Sequence, residues 1–177
     1  VVEIGTATFY NCTSLSSIEI PNSVNKIGFS AFYNCTSLTS IEIPNSVVTI
    51  GDIAFRNCTN LTSVTFEANS QLTTIDGCFE GCTSLTNIKI PNSVTSIEHG
   101  TDPFNNYYWT GAFKNCTSLT SVTFEEGSQL TIIEYGFVGC TNLTNIEIPN
   151  SVIEIGYSAF ENCTSLTSVT FEENSQL

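Results

Sequence analysis

A Cys-Thr-x-Leu word returns through the whole chain and constrains the fold more than any other feature. Successive cysteines of this word are 23, 23, 24, 34, 24 and 23 residues apart. A period of this length is typical of solenoids, in which each repeat forms one coil and buries its apolar face against its neighbours. We therefore predict a single solenoid domain over residues 1–177, with a column of equivalent cysteines at Cys12, Cys35, Cys58, Cys82, Cys116, Cys140 and Cys163.

Seven coils follow from this period when each is counted from its Val or Leu. They begin at Val1, Val24, Val47, Leu72, Val94, Leu130 and Val152, and Leu177 would begin an eighth. Both ends stop at the same phase of the repeat without a polar capping unit, so we expect a fragment of a longer array. Uncapped end coils expose strand edges and apolar core, which makes end-to-end self-association possible.

Each repeat contains an L-x-x-I-x-I pattern that predicts one short strand. Leu38, Ile41 and Ile43 face the core, whereas Ser40 and Glu42 share the other face. The alternation predicts two exposed polar columns, which lack the aromatic anchors of tight interfaces, so we expect weak monovalent binding that gains from avidity. The candidate protein-binding residues of this face are Ser40, Glu42, Ser63, Thr65, Asn87, Lys89, Ser121, Thr123, Asn145 and Glu147.

The corner after each strand has two forms. Four coils use Ile-Pro-Asn-Ser-Val, in which proline ends the strand because it has no N–H for the ladder. Three coils use a longer corner, FEANSQL, FEEGSQL or FEENSQL, with phenylalanine at the place of the last strand isoleucine. We predict that corner length varies while the phase of the repeat does not.

The third side of each coil reads A-F-x-N-C, and its Ala and Phe suit a short helical turn that fills the core. The residue before the cysteine is Asn in five coils and Gly in two, at Gly81 and Gly139. Asn and Gly share a tolerance of positive φ, which predicts a helical C-cap at this position.

The segment AFYNCTSLTSIEIPNSVVTIG, residues 31–51, resembles the BspA-like, or treponemal-type, leucine-rich repeat. This resemblance covers the chain through seven copies and implies a β-rich repeat solenoid: a curved right-handed superhelix with one short parallel strand per coil and short helical turns. Members of the family are typically secreted or cell-surface proteins of mucosal bacteria and protists, implicated in adhesion to host matrix proteins or other cells. The family motif defines no catalytic or binding residues, so none is carried over.

We predict a non-enzymatic protein-binding or adhesion segment at the cell surface or secreted, with surface or matrix proteins of a host or neighbouring cell as partners. The alternative is a structural stalk that presents another domain. Seventeen acidic against four basic residues give a charge of −13, which disfavours nucleic acid, and no apolar run is long enough to span a membrane. The sole histidine is His99. The repeat pattern places no general base and no orienting group beside a Ser or Cys nucleophile, which disfavours an enzyme.

The cysteine column has three interpretations: a buried reduced ladder, disulfides between coils, or structural zinc. Stacking at about 4.8 Å is within disulfide range, but equivalent side chains in stacked coils point in parallel, which favours the reduced ladder. One cysteine per coil lacks the paired clusters of zinc sites, so we predict no metal and no cofactor. The seven Asn-x-Thr sequons follow from the same repeat word, with or without glycosylation.

An insertion of about eleven residues interrupts the fifth coil at residues 98–110, EHGTDPFNNYYWT. It has two interpretations: a recognition loop, or aromatic side chains that fold back over neighbouring coils. It follows Ile97, so we expect it to leave the coil away from the strand of Leu85, Ile88 and Ile90. Its candidate binding residues are His99, Phe104, Tyr107, Tyr108 and Trp109.

Overall fold

The structure is a computed structural model that describes residues 1–101 and 109–177, and it is a β-solenoid of about seven coils. The fold class expected from the repeat is confirmed. Its strands are β1 Glu3–Ile4, β2 Lys26–Ile27, β3 Ser40–Ile43, β4 Thr49–Ile50, β5 Ser63–Phe66, β6 Thr74–Asp76, β7 Asn87–Ile90, β8 Ser96–Thr101, β9 Trp109–Gly111, β10 Ser121–Phe124, β11 Ile132–Ile133, β12 Asn145–Ile148, β13 Glu154–Ile155 and β14 Ser168–Phe171.

The strands lie on two sides of the solenoid. The front face comprises the four-residue strands β3, β5, β7, β10, β12 and β14, which are the strands expected from the L-x-x-I-x-I pattern. The flank comprises β1, β2, β4, β6, β8, β11 and β13, a second strand per coil that the sequence interpretation did not include. Among the described residues the strands pair in parallel, apart from the antiparallel pair β8–β9.

A continuous apolar core fills the coils, because each contributes the same inward positions: Ile27, Phe32, Cys35, Leu38 and Ile43 of the second coil are all 0% exposed. The phenylalanine rings form one stack with neighbouring centroids 5.0 to 5.6 Å apart. Offset stacking at this distance stabilises beyond the burial of area alone. The stacked rings are Phe9, Phe32, Phe55, Phe79, Phe113, Phe137 and Phe160.

The third side, here called the turn side, differs from the expected helical turn. The asparagine before each cysteine does have positive φ, 59° at Asn34 for example, and so do Gly81 and Gly139. A second residue, four positions earlier, is also left-handed in several coils, as at Ser30 with φ 53°. Two such residues prevent an α-helix and turn alternate N–H groups toward the next coil, where Asn34 N–H donates to the Arg56 carbonyl at 2.8 Å.

The front strands pair two by two: β3 with β5, β7 with β10, and β12 with β14. No ladder joins β5 to β7 or β10 to β12 in the described part of the chain. The cause is the corner proline. Glu67 N–H donates to the Ile43 carbonyl of the coil before it at 3.0 Å, whereas Pro44, at the equivalent position one coil earlier, has no N–H to donate to Ile20. Pro91 and Pro149 have the same effect on their preceding coils.

A glutamate of each long corner reinforces this pairing. Glu67 Oε2 accepts the Asn45 backbone N–H at 3.1 Å, and the Asn45 side-chain amide donates to the Ala68 carbonyl at 3.2 Å. Glu125 and Glu172 make the same contact with the short corner of the coil before them, at 3.1 and 3.0 Å. The second and third, fourth and fifth, and sixth and seventh coils therefore form three coil pairs, and we call the boundary before each pair an open joint.

Candidate protein-binding face

The ten candidate residues of the front face are all exposed, and their columns run across the coil pairs in register. Ser40 lies opposite Ser63, and Glu42 lies opposite Thr65. The inward residues between them are buried, as the pattern eBeB of β3, β7 and β12 shows. The exposed polar face expected from the alternation is present, while its role in binding stays a prediction.

Grooves open on this face at two of the open joints. The larger has a volume of about 550 Å³ and lies between the first and second coils, where Ser17, Glu19 and Ile20 face Ser40 and Glu42. The smaller, of about 210 Å³, lies between β10 and β12 at the joint of the fifth and sixth coils. Both grooves occur where a proline lacks the backbone N–H that would bind the preceding strand. The interrupted pairing between neighbouring strands therefore forms the grooves of the front face.

Hydrogen-bond acceptors dominate both grooves. Glu19, Glu42 and Glu67 line the larger, and Glu147 and Glu172 line the smaller, with no lysine or arginine among the lining residues of either. The basic residue of the front-face columns, Lys89, lies at the middle open joint, where its Nζ is 3.9 Å from Glu125 Oε1. The negative charge of the face is therefore concentrated at the two outer open joints.

Five of the seven thiols of the cysteine column are buried, as is the thiol of Cys78, and all eight cysteines are free in this structure. From the second coil onward each thiol of the repeat word donates to the carbonyl of the phenylalanine in the preceding coil, as Cys58 does to Phe32 at 3.2 Å. The six such contacts measure 3.0 to 3.3 Å. Cysteine at this position is thus a small apolar residue that also donates a hydrogen bond to the preceding coil.

A family model for the BspA-type leucine-rich repeat region matches residues 2–108 and 109–177, in 6 copies. The chain belongs to the BspA-type leucine-rich repeat family. The expected resemblance is thereby confirmed over nearly the whole chain, and its copies supply the repeating front face described above. The family shows a repeat scaffold and does not by itself single out a ligand.

Two solved structures are similar to this BspA-type chain. The leucine-rich repeat protein TpLRR of T. pallidum matches with a TM-score of 0.62 and 27% identity, over 96% of this chain and 63% of that one. The pneumococcal vaccine antigen PcpA matches with a TM-score of 0.60 and 26% identity, over 78% of this chain and 31% of that one. The BspA-type chain thus spans less than two thirds of either protein. No curated protein matches it.

The insertion of this BspA-type chain leaves from the flank. Its first strand, β8, pairs in parallel with β6 and β11, and then turns back through β9, with His99 opposite Gly111. The His99 ring meets Tyr135 edge to face at 5.6 Å, and its Nδ1 is 3.7 Å from Glu134 Oε2. Phe104, Tyr107 and Tyr108 lie outside the described residues, so recognition by the insertion stays a prediction.

Neither metal chemistry nor a membrane span is indicated in residues 1–101 and 109–177. Among them, no group of three His, Cys, Asp or Glu side chains is arranged to hold a metal ion. The same residues include no helix long and apolar enough to cross a bilayer.

Burial suppresses the reactivity of the thiol column. It raises the pKa of Cys35 from 9.0 to about 11 and that of Cys58 and Cys116 to about 12, with the neighbouring thiol adding repulsion at Cys35 and Cys58. The pKa values of the fully buried Cys78 and Cys82 are also raised by burial. Because the thiolate is the nucleophile, these groups are unreactive in the folded chain.

We expect the six buried thiols to react with a disulfide reagent only after unfolding, and the folded chain to lose stability above about pH 9. The sign follows from the raised pKa values: between about pH 9 and pH 12 the unfolded thiols lose protons that the folded thiols keep, so rising pH favours unfolding. Thiol titration with and without urea, and urea midpoints at neutral and alkaline pH, test this. A chain without free thiols when unfolded and unreduced would establish the disulfide alternative.

Front-face residues that sequence reasoning missed are the corner residues. Pro44, Pro91 and Pro149 create the open joints, and the glutamates of the long corners close the coil pairs. The signal was present as the alternation of the two corner types. This alternation has its effect between coils and not within one coil, because the missing N–H of proline leaves a carbonyl of the neighbouring coil without a donor.

Proposed function

We propose that this chain is a protein-binding segment of a secreted or cell-surface protein, with the front face as its interaction surface. The observation that supports this most is the regular exposure of polar side chains on six front strands, with grooves at the open joints. A stack of parallel strands presents a long surface to a macromolecule. The likeness to PcpA, a vaccine antigen, supports a surface location.

The partners that fit this proposal are matrix or surface proteins of a host or of neighbouring cells. Hydroxyl and amide side chains such as Ser63, Ser121 and Asn145 form hydrogen bonds but supply little apolar area. We therefore expect monovalent dissociation constants of micromolar order, with tighter binding when several copies are displayed together.

Immobilised chain exposed to matrix and epithelial surface proteins tests the proposal. A captured protein is identified, purified and titrated against Ser63→Gln/Ser121→Gln, which alters the front face, and against Thr49→Gln/Glu154→Gln, which alters the flank. We expect the front-face variant to lose about tenfold in affinity and the flank variant to retain it. Equal losses would contradict the proposal, whereas nanomolar monovalent binding that depends on these columns would contradict the expectation of weak monovalent binding.

Failure to capture any protein would favour the alternative, a stalk that presents another domain.

Self-association must be measured first, because copies joined end to end would bind with added avidity. Apolar side chains are exposed at the two end coils, among them Val2 at 53% and Phe171 at 48%. We propose that these ends stack on one another, and sedimentation at increasing concentration shows whether they do.

A further inference from the structure

We propose that the two outer open joints of the front face bind cationic side chains from one extended, arginine- or lysine-bearing segment of a protein partner. This inference rests on the proposed function and names the chemistry of the partner. It follows from which hydrogen-bonding groups the alternating corners leave at each joint.

Proline leaves the outer joints with acceptors. At the first joint Pro44 has no N–H for the Ile20 carbonyl, and at the joint of the fifth and sixth coils Pro149 has none for Phe124. Within the coil pairs the same position is filled by an N–H, as from Glu125 to Ile90 at 2.9 Å. A partner that supplies donors complements these carbonyls, whereas one that supplies acceptors does not.

Carboxylates surround the same places. Glu19 is exposed on the Ile20 side of the larger groove with Glu42 exposed on the opposite side, and Glu147 is exposed opposite Phe124 in the smaller one. A guanidinium group carries several N–H donors in one plane and can bind a carboxylate and a carbonyl together. Lysine fits with a single charged head, so both side chains match the grooves in charge.

The middle open joint selects against a third cation. It lies between β5 and β7, whose exposed residues include Thr65 and Lys89. The Lys89 ammonium repels a further positive charge, although its ion pair with Glu125 reduces that effect. The pattern on the face is therefore acidic, basic, acidic, and a matching segment carries basic residues at its two ends with neutral ones between.

The distance between the outer joints fixes the spacing. They are four coil steps apart, or about 19 Å at the usual separation of neighbouring strands, and an extended chain covers this in about six residues. A segment that crosses the front strands with its two basic residues about six positions apart would reach both grooves at once. Simultaneous contact raises affinity because the second contact is intramolecular.

Two fluorescent peptides of equal composition test this, each with two arginines in a serine and glycine background. One carries the arginines about six residues apart, and the other carries them side by side. We expect the full chain to bind the spaced peptide about tenfold more tightly, as measured by fluorescence anisotropy at low salt. Equal affinity for the two peptides, or binding of neither at about millimolar concentration, would overturn the inference.

Matched variants separate the grooves from the overall negative charge. Glu42→Gln/Glu147→Gln removes one carboxylate from each groove, and Glu154→Gln/Glu161→Gln removes as many from the flank and the turn side. We expect the groove variant to lose about tenfold in affinity for the spaced peptide and the control to change less than about twofold, with both melting as the parent does. Equal losses would mean unspecific attraction and overturn the inference.

These outcomes are distinct from failure of the proposed function. If front-face substitutions abolish capture of a natural partner while the spaced peptide does not bind, the front face is a binding surface and the cationic partner is wrong. If capture depends on the flank instead, the proposed function is wrong whatever the peptides do.

Discussion

Replacing Phe79 by alanine is expected to lower the free energy of unfolding by about 3–5 kcal/mol. Its ring is fully buried and stacks on Phe55 at 5.3 Å and on Phe113 at 5.6 Å. The substitution removes apolar area from the core and leaves a cavity that two rigid neighbouring coils cannot close. Urea denaturation followed by circular dichroism gives the change in the free energy of unfolding.

Phe160→Ala is the matched control. This ring occupies the same repeat position in the seventh coil, but it is half-buried and stacks on Phe137, in the coil before it, at 5.5 Å. We expect a loss smaller by about half, because less area and fewer contacts are removed. Equal losses at the two positions would contradict a continuous stack in which neighbours on both sides hold each ring.

Deleting the third coil, residues 47–71, is expected to destabilise the chain by about 3 kcal/mol more than deleting the first coil, residues 1–23. Each deletion leaves six coils, but the first coil lies outside the coil pairs, whereas the third supplies Glu67 to Asn45. Its loss removes a hydrogen bond to a charged group, a side-chain amide bond and the ladder between β3 and β5, and it places Pro91, which has no N–H, against the Ile43 carbonyl.

Thermal and urea unfolding of the two shortened chains measure this difference. Repeat proteins lose stability with every coil removed, so the equal coil number of the two variants is essential. A third-coil deletion as stable as the first-coil deletion would mean that the coils are independent units and that the pairing of corners contributes nothing.

Much of this architecture could be predicted because solenoid repeats place equivalent residues at equivalent positions. The phase of Phe32, Cys35 and Leu38 gave the core, and the preference for Asn or Gly before the cysteine gave the positive φ at Asn34. The turn side is not helical because Ser30 is left-handed as well. Serine carries no signal for that conformation, so a search for Asn and Gly could not find it.

The remaining differences arise between coils. The flank strands, such as Thr49–Ile50, are mostly two residues long and exist only because the next coil supplies a partner, so their local sequence predicts little. Whether a joint is open depends on whether the following coil has the short proline corner or the long corner. The grooves of the candidate site therefore required the neighbouring coil as well as the repeat, while the binding role of His99 and Trp109 is a matter for experiment.

Labelling of the thiol column would report local unfolding of the solenoid. With no disulfide among the eight cysteines and six of them fully enclosed, an oxidant or alkylating agent in the surroundings meets most sulfurs only when coils separate. Each of the second to sixth coils carries an enclosed thiol of the column, whereas Cys12 and Cys163 of the end coils are half-buried. Mass spectrometry of slowly labelled chains would thus give an opening rate for each of these five coils, and an exported chain would have to fold before its thiols were oxidised.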